Sequence, residues 1–166
     1  MSNSTELKTL FESLFQQHYP MVLQMCKGYM QGDEDLAKDL SQEVFINVWN
    51  ALAKFKGDAL HKTWIYRITV NTCLLYIRNN KKKQATYFDV VPELSSLQTS
   101  EADHNNFSDL YKAIGVLPQL ERLIMMLLLE ELEYDDICQI TGISAINLRV
   151  KIHRIKNKMK KILKPQ

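Results

Sequence analysis

"YDDICQITGISAINLRVKIHRIKNKMKKIL", residues 134–163, decides the architecture of the C-terminal third. It reads as two helices joined by a tight turn. Tyr134–Thr141 is the first helix, with Ile137 and Ile140 facing inward. Gly142 suits a left-handed backbone position, where a Cβ costs energy. Ile143 can plug the space between the helices, and Ser144 is a good N-cap for the second. Leu148, Ile152, Ile155, Met159 and Ile162 follow at spacings of four, three, four and three, the stripe of a helix with one buried side. From Ala145 onward there are eight Lys or Arg and no acid. The pattern predicts a helix-turn-helix whose second helix enters a major groove. Phosphates attract the basic flanks, among them Lys151 and Lys156, while Asn147, Arg149, His153 and Arg154 can reach base edges. The alternative is a basic amphipathic helix that is solvated or contacts a protein.

Upstream, Glu130–Asp136 is the electrostatic opposite, with five acids, and such local polarity suggests oriented docking surfaces. Leu123–Leu129 is apolar all round and predicts the central buried helix of a small domain. Leu110, Ala113, Ile114 and Leu117 form the helix before it, ended by the Leu-Pro at 117–118. From Gln84 to Ser108 periodicity disappears and Ser, Thr and Pro92 take over. That is linker composition, over more residues than a compact domain leaves without structure.

The N-terminal block is again helical. Leu10, Phe11, Leu14, Phe15 and His18 form one stripe, which Pro20 interrupts or kinks before Met21, Val22, Met25, Cys26 and Tyr29 continue it. Asp33 can cap a second helix, whose Leu36, Leu40, Val44, Val48 and Leu52 recur every fourth residue, with Gly57 as a stop. A third helix begins near Lys62 or Thr63 and runs to about Asn80. The expected fold is therefore all-α: two small helical domains joined by a flexible linker, at 1–83, 84–108 and 109–166.

Totals exclude several classes. With 21 Lys plus Arg against 19 Asp plus Glu, net charge names no partner. Cys26, Cys73 and Cys138 are scattered, which supports neither a disulfide framework nor a metal site. His18, His61, His104 and His153 are equally dispersed, and no Gly-rich phosphate loop exists. Asp33, Glu34 and Asp35 read as a helix start, not a metal site. "MSNSTELKTLF" has no basic start or apolar stretch, and the longest apolar run is far short of the ~20 residues of a membrane span. A cytoplasmic protein without cofactor, metal or enzymatic centre is expected.

"DLSQEVFINVWNALAKFKGDALHKTWIYRITVNTCLLYIRNNKKK", residues 39–83, interleaves aromatic and basic residues. Trp64, Tyr66, Arg67, Asn71, Tyr76 and Arg78 sit close together, a composition suited to stacking on unpaired bases. By composition alone the favoured reading is that Trp64 and Tyr66 are partly or wholly core residues, and Lys81–Lys83 a solvated helix end. The order and spacing of "DLSQEVFINVW", "FKGDA" and "TWIYRITVNTCLLYIR" resemble the second conserved region of a bacterial RNA polymerase sigma factor of the extracytoplasmic-function (ECF) type. Residues 117–163 resemble the fourth conserved region, and "LLLEELEYDDICQITGIS" is similar to members from the Bacteroidetes group.

The resemblance implies a division of labour. Asp39, Gln42, Glu43, Phe45 and Trp49 would dock on the β′ clamp helices of core RNA polymerase, with the β flap as a further contact. Lys56, His61, Lys62, Trp64, Arg67, Asn71 and Arg78 would meet the minus-ten promoter element, Asn71 helping to capture a flipped base. Ser144, Asn147, Arg149, Val150, Lys151, His153, Arg154 and Lys156 would read the minus-thirty-five element as duplex. An anti-sigma partner covering both domains is a further implied possibility. Two rivals stand beside this reading: a dimeric repressor or activator that binds duplex DNA alone, and a nucleic-acid enzyme.

Overall fold

The computed structural model describes residues 2–87 and 106–164. Among these it contains seven α-helices and no strand: α1 Ser2–Tyr29, α2 Glu34–Leu52, α3 His61–Tyr87, α4 Asn106–Val116, α5 Gln119–Leu129, α6 Tyr134–Thr141 and α7 Ala145–Leu163. Most of the expected linker lies outside the described residues; within them α3 runs seven residues past Asn80, to Tyr87. The side chains of Lys81–Lys83 also lie outside the described set.

Local signals fix three of the helix ends. The Asp33 carboxylate accepts from the Leu36 N–H at 3.1 Å and caps α2. Ser144 accepts from the Asn147 N–H and caps α7. Gly142 ends α6 at φ 74°, the left-handed conformation in which it carries no Cβ penalty. Pro20 does not interrupt α1. It is exposed, so water can satisfy the carbonyl that loses its partner, while His18, Met21 and Val22 bury the opposite side.

The first unit packs α1, α2 and α3 around Val22, Met25, Leu40, Val44, Val48, Ile65 and Val70. Cys26 on α1 and Cys73 on α3 are buried free thiols within it, their sulfurs 3.8 Å apart. The second unit packs α4, α5 and α6 against α7 around Ile114, Ile124, Leu127, Ile137, Leu148 and Ile155.

These units do not stand apart. α1 packs on α4 and α5, α3 packs on α6, and the two cores merge into one buried cluster. At the joint the Met126 thioether lies against Gly28, where any Cβ would overlap it. The Arg122 guanidinium bridges the units: Nη1 donates to the Tyr29 carbonyl at 3.1 Å, and Nη2 to the Gly115 and Leu117 carbonyls at 2.8 and 3.1 Å. It thereby satisfies the orphan carbonyls that helix ends leave behind. Tyr66, fully buried, donates to Glu130 across the same joint.

Candidate nucleic-acid interface

Three surfaces emerge. The first is α7, with Leu148, Ile152, Ile155 and Met159 turned into the core. The remaining faces present Ser144, Asn147, Arg149, Val150, His153, Arg154 and Lys156 to solvent, with Lys151 half-buried. The Asn157 amide lies 3.3 Å from His153 Nε2. Among the described residues Lys158 is the one α7 cation in an ion pair, with Glu121 at 2.7 Å, so Arg149, Lys151, Arg154 and Lys156 keep their charge for an outside partner. Ile146, unassigned by sequence reasoning, lies exposed in the first turn.

The second surface is the start and outer face of α3. Trp64, Arg67, Asn71, Leu75 and Arg78 recur at three- and four-residue steps and so share one stripe about 21 Å long, at ~1.5 Å per residue. Arg67, Asn71, Leu75 and Arg78 are exposed and Trp64 half-buried. Before the stripe, the Phe55 ring packs at a tilt against both His61 and Trp64, with centroids 4.7 and 4.8 Å away. Sequence reasoning passed over Phe55, which sets the orientation of both neighbours. Lys56 and Lys62 are exposed beside it. His18 is buried close by, and its imidazole is held below the usual range by that burial, then by the charges of Lys62 and His61. Tyr66 belongs to the core: burial and the Glu130 carboxylate push its phenol well above the ordinary value, so it stays a hydrogen-bond donor. The Arg67 guanidinium points toward the Gln139 carbonyl of α6, 3.5 Å away.

The third surface is the outer face of α2. Asp39, Gln42, Glu43 and Trp49 lie on one exposed face, joined by Ile46, which is 59% exposed and had no assignment from sequence. Phe45 is a correction. It is 2% exposed and packs edge-on to Phe11 and Phe15, so it has no surface to offer a partner. Its position one residue before Ile46 turns it inward. Phe11 also packs on Trp49, at 5.2 Å, and holds that indole at the rim of the core.

A helical unit followed by a helix-turn-helix matches known proteins in the same order. The family model for sigma-70 region 2 matches residues 14–83, and that for sigma-70 region 4 matches 107–159. The chain belongs to the sigma-70 family. Within that family it is an RNA polymerase sigma factor of the ECF type, a transcription-initiation protein. It is 27% identical to RNA polymerase sigma factor YlaC of Bacillus subtilis (strain 168), over 90% of each chain. To the ECF RNA polymerase sigma-E factor of Escherichia coli (strain K12) it is 26% identical, over 76% of this chain and 73% of that one. Its fold is that of the sigma factor RpoE solved with the anti-sigma factor NepR from Bartonella quintana, at TM-score 0.77 and 19% identity over 92% of this chain and 96% of that one. CnrH, solved with the cytosolic domain of CnrY, matches at TM-score 0.68 and 18% identity, over 94% and 88%.

Among the described residues no group of three His, Cys, Asp or Glu is placed to hold a metal ion, and no helix is long and apolar enough to cross a membrane.

Proposed function

We propose that this sigma factor works in the cytoplasm, binding core RNA polymerase through Asp39, Gln42, Glu43, Ile46 and Trp49 and directing promoter-specific initiation. The α7 face reads the minus-thirty-five element as duplex. The α3 stripe and the loop before it engage the minus-ten element, with Asn71 helping to hold a base out of the stack. Unstacking costs a few kcal/mol, offset by stacking and hydrogen bonds in the receiving pocket. The polymerase performs nucleotidyl transfer; this chain supplies recognition.

One observation carries the reading. Arg149 and Arg154 on α7, and Asn71 and Arg78 on α3, are exposed on two separate helical faces and free of ion pairs among the described residues. A single-site duplex binder has no use for the second face. An anti-sigma partner fits the likeness to RpoE and CnrH, each solved with a second protein. We also retain the short form of residues 127–144 as a sign of Bacteroidetes affinity.

The test is run-off transcription with core polymerase from the same organism on a fragmented genomic template, with and without this chain. Discrete new transcripts are expected. Their absence, with tight sequence-specific duplex binding by the chain alone, would make it a repressor or activator.

A further inference from the structure

The first two turns of α7 carry a feature that charge does not explain. Ile146 is 76% exposed and Val150 46% exposed. They lie four residues apart, on the face opposite the core stripe, and Arg149 and His153 complete that face. Both are β-branched aliphatics on a helix that contains no acid. Neither packs in the hydrophobic core. Ile143, just before the helix, does pack there, so the exposure of Ile146 comes from helical phase and not from a lack of room.

The unpaired cations around this pair select a polyanion as occupant. On duplex DNA the sugar-phosphate backbone offers an aliphatic side chain little, but the major groove holds one apolar mark, the thymine 5-methyl group. Side chains four apart on a helix are about 5–6 Å from each other. Base steps are about 3.4 Å along a strand, so the pair spans one to two steps.

We infer that Ile146 and Val150 are specificity-determining residues that pack on thymine methyl groups one or two base steps apart in the upstream element, alongside the guanidinium of Arg149 and the imidazole of His153. The inference rests on the proposal that α7 reads that element. It adds the bases read, thymines through their methyl groups, and a residue, Ile146, outside the set that resemblance supplied.

The experiment uses holoenzyme assembled from this chain and its own core polymerase. Upstream elements are selected from a randomised duplex library, and each thymine of the winning sequence is replaced in turn by deoxyuridine, which removes the methyl group alone. At one or two adjacent or next-adjacent positions the replacement is expected to weaken promoter binding about four-fold, the equivalent of one buried methyl. In Ile146→Ala or Val150→Ala holoenzyme the same replacement should cost nothing. Both variants place a good helix former at an exposed site, and an unchanged unfolding temperature checks that they fold. A winning element without thymine, or uracil losses equal in wild type and variants, overturns the inference while leaving α7 as the reader. Ile146→Ala that weakens binding to core polymerase and leaves DNA affinity unchanged also overturns it, in favour of a protein contact. Failure to enrich any upstream element sinks the parent reading instead.

Discussion

The Tyr66 hydroxyl of α3 donates a 3.0 Å hydrogen bond to Glu130 Oε2, at the end of α5, and so ties the two halves of the chain together. The other carboxylate oxygen, Oε1, is buried with no partner among the described residues. Tyr66→Phe would leave Glu130 with both oxygens unsatisfied, so a loss of about 1–3 kcal/mol is expected, read as a fall in the urea midpoint. The pH dependence has a definite sign. The folded-state phenol is raised above its unfolded value, so its contribution is complete below about pH 10 and fades as pH rises further, because only the unfolded state then releases the proton. Tyr29 is raised in the same sense, chiefly by burial. Urea midpoints measured from pH 8 to 11 should therefore fall with pH, less steeply in Tyr66→Phe.

Gly28→Ala should separate the two units. Its methyl would overlap the Met126 thioether, and overpacking of this kind costs about 1–3 kcal/mol. A larger hydrodynamic radius is expected, restored when Met126→Ala is added. An unchanged radius in the single variant would mean that the long Met126 side chain yields instead.

Asn71→Ala should impair strand opening more than polymerase binding. Asn71 is exposed on the α3 stripe proposed to meet the minus-ten element. Permanganate footprinting of unpaired thymines, set beside holoenzyme affinity, reads both quantities. Equal losses in the two would argue against base capture.

Arg154→Ala should weaken upstream recognition by roughly 1–3 kcal/mol at one base pair if its guanidinium is bidentate to a base. Competition between the selected element and single-base variants measures this. Uniform weakening across all sequences would make Arg154 a phosphate contact.

The helix-turn-helix was legible because Gly142 and Ser144 each impose a local geometry that few other residues satisfy, and because its core stripe repeats without error. The α2 and α3 faces were legible only in part. Phe45 and Ile46 are adjacent and both apolar, and which one points inward depends on where α1 lies. The joint was invisible for a different reason. Tyr66 meets Glu130 across 64 residues of sequence and Arg122 meets Tyr29 across 93, while Gly28 meets Met126 from a different helix, and no periodicity encodes such pairings. Separate hydrophobic stripes on the two halves gave no hint that their cores merge. Of the two outcomes the sequence left open at Pro20, the helix is not interrupted: it continues through an exposed proline, where water can reach the carbonyl left without its partner.

A merged core of this kind would work as a thermodynamic gate on any ligand that needs the halves apart. A ligand that grips both basic faces at a separation other than the closed one must first part Met126 from Gly28 and Arg122 from Tyr29. Its observed affinity is then its intrinsic affinity multiplied by the fraction of molecules already parted. If that fraction is about one in a hundred, binding weakens about a hundredfold, and a first partner that holds the halves apart returns the whole factor to the second. Cooperativity between two ligands that never touch would then trace to one glycine lying against one methionine.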